Sequence, residues 1–299
     1  MILHAATRVR NSLKSRYEIG SRRRRQTRLR NRNRGKLPPL NAFDQAIVEA
    51  LEQDGGAITS LAELGAGGEF SDFDTRAAFD MLAGPKKTAD YPKDFFQEAS
   101  LAQLACVPQL IKWGLEERFL AIAHNYFGLP AAYRGLILRR DFADGICRET
   151  RQWHRDSEDV RILKIIVHIT DVDENGGAFR FLPRAHAPKK GIAYVNGRVP
   201  ENIMGRLVSA DKYVTCVGLA GTVVFADTAS VWHHGCVPES ADRLTAFYAY
   251  NSHCPLRPHY CQPLFPAHYL GGDKLSPMQA AAIDYSYPVT SPRDGAEAA

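Results

Sequence analysis

The stretch QWHRDSED (152–159) puts His154, Asp156 and Glu158 on alternate positions. In an extended chain, side chains at i, i+2 and i+4 share one face, so an imidazole and a carboxylate converge there. A second imidazole is available from GTVVFADTASVWHHGCVPESADRLTAFYAY (221–250), which presents His233 and His234 and then Arg243. Two histidines and one carboxylate leave half of a coordination sphere open, the facial triad of non-haem Fe(II) chemistry. The open positions can take a bidentate keto acid and O₂. Arginine is the side chain for a two-pronged grip on a remote carboxylate, and Arg243 is placed for that task. If 243–245 is a strand, Thr245 shares the face of Arg243 and can help it.

These residues need a rigid frame, and the pattern around them changes along the chain. NAFDQAIVEALEQDGG reads as a helix with Asn41 or Asp44 as its cap and Gly55-Gly56 as its stop. ITSLAELG gives a short strand and turn, and 67–100 reads as loop with short helix. PQLIKWGLEERFLAIAHNYFG (108–128) is the longest helical pattern, ending at Gly128. From 133 onward, β-branched runs alternate with Gly, Pro, Asn and Asp turns: RGLILRRDF, TRQWHRDSED, ILKIIVHIT, GAFRFLP, AGTVVFAD and RLTAFYAYNS. Helices followed by seven or eight strands predict helices packed on a β-sandwich or barrel. The predicted organisation is a helical part at 41–130, a β-barrel core at 131–255 and a C-terminal extension at 256–299, with 286–299 as a frayed tail.

Charge is unevenly spread. Residues 1–40 hold 13 of the 38 Lys and Arg and one of the 33 Asp and Glu, a balance of +12. The rest carries 25 basic and 32 acidic groups, a balance of −7. In the arm, Ile2, Ala6, Val9, Leu13 and Tyr17 recur at helical spacing between basic residues, a pattern suited to an anionic membrane surface. SRRRRQTRLRNRNRGK (21–36) then reads as a solvated run that does not fold alone. The partner choices for residues 1–36 are a membrane surface, nucleic acid (disfavoured) or none. Six cysteines without a CxxC pair read as free thiols in a reducing compartment, and no run approaches a membrane span. The N-terminal residues break into charge too soon for a signal peptide. A cytoplasmic location follows, with a peripheral place at the inner face of a membrane as its variant.

The order HxD (His154, Asp156), ENGGAFRFLPRAH (174–186), ADTASVWHHG (226–235) and RLT (243–245) resembles the phytanoyl-CoA dioxygenase-like branch of the Fe(II)/2-oxoglutarate oxygenases. The resemblance covers roughly 135–252. It implies a double-stranded β-helix (a cupin-like jelly roll) with flanking helices, Fe(II), and the cosubstrates 2-oxoglutarate and O₂. By that resemblance His154 and Asp156 are ligands from one strand, and the distal histidine comes from a strand late in the barrel. His233-His234-Gly235 fits the family's HxG form with His233 as ligand and Arg243 at +10, with His234 as second choice. The sequence departs at PRAHAP (183–188), where the family often carries Pro-Gly-Ser-His. Arg184 replaces the glycine, so the turn is open to remodelling toward substrate, while His186 reads as a turn histidine.

Other residues have a functional and a plain reading. Gln152 shares the face of His154 and can hydrogen-bond 2-oxoglutarate or substrate. Glu158 can touch substrate or be a surface carboxylate near Arg155 or Arg161. Lys164 is an alternative carboxylate anchor that Arg243 and Thr245 make redundant. His168 reads as a core histidine, and Trp153 and Trp232 as barrel packing. The sequence therefore predicts a dioxygenase hydroxylating an unactivated C–H of a small-molecule or lipid- or glycan-linked substrate. The alternatives are a nucleic-acid or protein hydroxylase, a non-catalytic barrel used for binding, and a zinc hydrolase that leaves Arg243 without a role.

Overall fold

The computed structural model describes residues 2–65, 73–84, 95–188, 197–270, 274–285 and 287, with side chains from residue 17 onward. The basic segment is helical, α1 (Ile2–Asn33), where its charge pattern predicts a solvated run. Contacts to the rest of the chain explain the difference. Gln26 is buried, and Arg30 Nε donates to the Phe127 carbonyl at 2.8 Å.

Next comes α2 (Ala42–Gln53), whose cap is Asn41: its side chain accepts from the Asp44 N–H at 2.8 Å. There follow β1 (Gly56–Ser60), α3 (Leu61–Gly65), α4 (Thr75–Leu82), β2 (Phe96–Glu98) and α5 (Leu101–Ala105). The predicted helix at 108–128 is two helices, α6 (Pro108–Trp113) and α7 (Glu117–Phe127). Gly114 lies at the break. A Cβ there would sit 2.4 Å from Tyr248 Cδ1 and 2.6 Å from the Tyr133 hydroxyl, and the Gly114 carbonyl accepts from Tyr250 Oη at 2.7 Å. Periodicity alone could not register that approach of helix backbone to sheet. Gly128 ends α7 in the left-handed conformation (φ 62°).

The second half carries β3 (Ala131–Asp141), β4 (Leu163–His168), β5 (Phe179–Leu182), α8 (Glu201–Leu207), β6 (Val214–Cys216), β7 (Thr222–Asp227), β8 (Trp232–Gly235) and β9 (Arg243–Ser252). Beyond them lies α9 (Pro277–Ile283). A six-stranded antiparallel sheet runs β1-β7-β4-β9-β3-β2, and a three-stranded antiparallel sheet runs β6-β5-β8. Among the described residues the two sheets are not closed into one cylinder.

Alternation along β4 places the layers. Ile165 and Val167 join Leu51, Phe119, Ile122, Phe225 and Tyr248 in the core beneath the helices. Ile166 packs instead with Val224, Phe179 and Phe181, between the two sheets. Lys164, two residues before Ile166, projects into that inter-sheet space as well. Each fully buried Ile or Phe contributes roughly 1.5–3 kcal/mol, so both layers hold the large sheet firmly. The strand expected at TRQWHRDSED (150–159) is absent. Glu149–Arg151 is a single 3-10 turn, and Trp153 and His154 make isolated bridges to Val199 and His233. The expected tail at 286–299 lies outside the described residues except for Tyr287, as do residues 189–196.

Candidate metal centre

His154 and Asp156 sit in the connection between β3 and β4, and backbone bonds fix that connection against β8 and the turn before it. The His154 N–H donates to the His233 carbonyl at 2.9 Å, the His233 N–H returns to His154 at 3.0 Å, and the Asp156 N–H donates to Thr228 at 2.9 Å. The two rings stand 4.2 Å apart. A nitrogen of each and a carboxylate oxygen of Asp156 all lie within 4.8 Å of one another.

The other ring nitrogens decide what faces the centre. His154 Nδ1 is 2.8 Å from the Gln152 carbonyl, and His233 Nδ1 is 3.2 Å from the Val231 carbonyl. A carbonyl only accepts, so each Nδ1 carries the proton and each Nε2 keeps a lone pair for a metal. Burial pushes His233 down to about 4 and, helped by His233, pushes His154 well below its ordinary value. Burial alone would raise Asp156, but Lys164, His233 and His154 together carry it well below the carboxylate range. Lys164 Nζ is 2.7 Å from Asp156 Oδ2. At neutral pH the set is two neutral imidazoles and one carboxylate, the protonation state that divalent metals require.

The histidines line a cavity between the sheets that Arg139, Asp141, Lys164, Arg243 and Phe247 also line. β9 pairs with β3 so that Arg243 is opposite Asp141 and Thr245 opposite Arg139. Arg243 Nη2 donates to Asp141 Oδ2 at 2.7 Å, and its Nη1 donates to the Gly177 carbonyl. Arg139 Nε lies 3.1 Å from the other Asp141 oxygen. Burial would raise Asp141, but Arg243 and Arg139 hold it below its ordinary range, so it stays ionised. Arg243 Nε and Thr245 Oγ1 are buried without hydrogen-bond partners among the described residues. Buried polar atoms are nearly always paired, so two orphans on one strand face point to a polar ligand.

No family model matches the chain, and no curated protein matches it. Solved structures do. HygX from Streptomyces hygroscopicus, with nickel and 2-oxoglutarate bound, aligns with a TM-score of 0.50 at 13% identity over 72% of this chain and 88% of that chain. EctD from S. alaskensis in its apoform aligns with a TM-score of 0.51 at 18% identity over 83% of this chain and 88% of that one. EctD with 2-oxoglutarate and 5-hydroxyectoine gives 0.50 at the same identity and coverage. The chain shares their cupin-like jelly-roll fold.

The jelly roll separates the remaining site candidates. His234 follows His233 on β8 and faces the other way, 4.3 Å from the Trp153 ring and 3.7 Å from Glu201 Oε2. Gln152 contributes its backbone carbonyl to His154, and its side chain does not line the cavity. Thr245 is fully buried behind the Arg243 end of β9. Glu158 turns back to accept from the Ser157 N–H at 2.7 Å. Arg184 lies outside the cavity in a clamp, with Nη2 donating to Tyr126 Oη and Ser230 Oγ at 2.6 Å and to Asp227 Oδ2 at 3.0 Å. Arg184 thus ties the 183–186 turn to α7 and to the loop before β8. Sequence reasoning missed Arg139 and Asp141. Their i, i+2 spacing in RGLILRRDF was the available signal, and a strand rich in arginine masked it.

Proposed function

We propose that the chain is an Fe(II)- and 2-oxoglutarate-dependent dioxygenase that hydroxylates a C–H bond of a small molecule. The observation carrying this reading is the His154–Asp156–His233 cluster, whose two histidines line one cavity with Arg243, while Arg243 Nε and, two residues on along β9, Thr245 Oγ1 are buried without partners among the described residues. The donor set of two imidazoles and one carboxylate suits Fe(II) with open positions. Bound there, iron with the keto acid and O₂ supplies the oxidising power: R–H, O₂ and 2-oxoglutarate become R–OH, succinate and CO₂.

The chain's own residues do the positioning. His154, Asp156 and His233 would hold the metal, with the Nδ1–H groups of the two histidines and the Lys164 contact to Asp156 fixing ligand orientation. Arg243 and Thr245 receive the far carboxylate of 2-oxoglutarate, and Asp141 presets the guanidinium. Phe179, Ile166 and Phe247 keep the space between the sheets dry. The order of HxD, the 174–186 segment, HHG and RLT supports a place near the phytanoyl-CoA dioxygenase-like branch. EctD, which shares the fold, has been seen with the small molecule 5-hydroxyectoine; that supports a small-molecule substrate here. Succinate release from 2-oxoglutarate in air tests the reading. It is expected to need Fe(II), to stop with a chelator, and to show a KM for 2-oxoglutarate raised at least about tenfold in Arg243→Ala, the loss of one charge-assisted pair. Iron-independent or absent turnover in a folded protein contradicts it.

A further inference from the structure

A second, larger opening reaches the same carboxylate from outside the sheets. Asp156 lines it, as do Arg23, Arg155, Arg198 and Arg257, with Trp232 as an apolar contribution to the wall. Arg23 belongs to α1, as does Ile19, which also lines the groove. We propose that α1 is one wall of the substrate site, and that these arginines take a phosphate-type anionic group on the small molecule oxidised at Asp156. The proposal rests on the reading of the centre as the site of oxidation.

The docking of α1 is specific. Ile19, Arg23, Gln26 and Arg30 follow helical spacing and so share a face. The Gln26 amide nitrogen reaches Asp159 Oδ1, the Cys254 carbonyl at 2.7 Å and Ser252 Oγ at 3.1 Å, while Arg30 holds the end of α7. Asp159 is three residues from Asp156 and accepts from the Ser252 N–H at 2.9 Å. The helix is therefore tied to the loop that carries the candidate ligand.

The groove's charge asks for an anion. Among the described residues, Arg23, Arg155 and Arg257 have no carboxylate partner, and Arg198 has only Glu149 at 3.9 Å. Arg155 is held over the Trp232 ring at 4.9 Å, and Arg257 Nη1 donates to Ser157 Oγ at 2.9 Å. The two acids of the groove are committed, Asp156 to the metal centre and Asp159 to Gln26 and Ser252. Guanidinium groups of which three have no carboxylate partner, gathered beside a candidate metal centre, suit the several acceptor oxygens of a phosphate.

The test is calorimetric titration of the metal-free full chain with inorganic pyrophosphate. Wild type is expected to bind it, and Arg23→Ala/Arg257→Ala to bind at least tenfold more weakly. Arg24→Ala/Arg28→Ala, exposed on α1 outside the groove, is expected to bind as wild type does. An equal loss in both variants means general attraction to a basic helix and overturns the proposal. Failure to bind pyrophosphate, with retained sedimentation on phosphatidylglycerol vesicles, assigns the arginines to a membrane surface and also overturns it. The iron reading is judged separately, because Fe(II)-dependent succinate release can fail while pyrophosphate still binds.

Discussion

His233 and His234 are neighbours on one strand, and the pleat alone assigns them opposite surroundings. His233 meets His154 and Asp156, whereas His234 packs at a tilt against the Trp153 ring. The HxD pair was legible because its chemistry needs only local alternation. The choice of distal histidine was left to a motif's spacing, since nothing local in WHHG says which face looks inward. The Arg243–Asp141–Arg139 group was half legible: Arg243 stood out, but its carboxylate partner is 102 residues away in sequence. Removing one partner from a buried ion pair leaves uncompensated charge, at a cost of roughly 3–5 kcal/mol. Asp141→Asn is therefore expected to lower unfolding free energy by about 3 kcal/mol in chemical denaturation, where Arg243 and Arg139 lose their shared carboxylate. A change under about 1 kcal/mol would mean that Asp141 does not hold the arginines.

At the scale of elements, β3, β4, β5, β7 and β9 were readable as β-branched runs closed by turns, whereas the short β6 and β8 carry no such run. Two further segments were misread. The segment 150–159 looks like a strand by alternation, yet its backbone pairs only through single bridges, so it presents the candidate ligands without extending a sheet. The α6–α7 break depends on Tyr133, Tyr248 and Tyr250 reaching up from the large sheet to meet the helix backbone at Ile111, Leu110 and Gly114. Gly114 adopts ordinary helical angles (φ −70°), so its requirement is space and not backbone freedom. Gly114→Ala is expected to destabilise by roughly 1–3 kcal/mol through overpacking against Tyr248 and Tyr133. The check is its thermal midpoint beside that of Gly84→Ala, where an added Cβ meets nothing within 4 Å. Equal midpoints would show that the break has another cause.

For the whole molecule, the sequence divides into a basic segment and an acidic remainder, and composition suggests two independent parts. The structure joins them through Gln26 and Arg30, two residues that no charge count singles out. No helix among the described residues is long and apolar enough to cross a membrane. Stability should also depend on pH. Burial, with help from His253, pushes His124 down from 6.5 to about 4. A histidine depressed on folding favours the folded state above the unfolded value and loses that contribution as pH falls from 6.5 toward 4. The loss amounts to up to about 3 kcal/mol. The metal-free protein is expected to lose thermal midpoint over that window, and His124→Gln to lose less. A variant whose midpoint falls as steeply as wild type would assign the acid sensitivity to other groups.

The most direct measurement is anaerobic titration with Fe(II) and 2-oxoglutarate, following the visible charge-transfer band of a chelated keto acid. The band is expected in wild type and His234→Ala, absent in His154→Ala and His233→Ala, and formed only at higher 2-oxoglutarate in Arg243→Ala. A folded wild-type protein without the band, or a band that survives His233→Ala, would contradict the assignment of the centre.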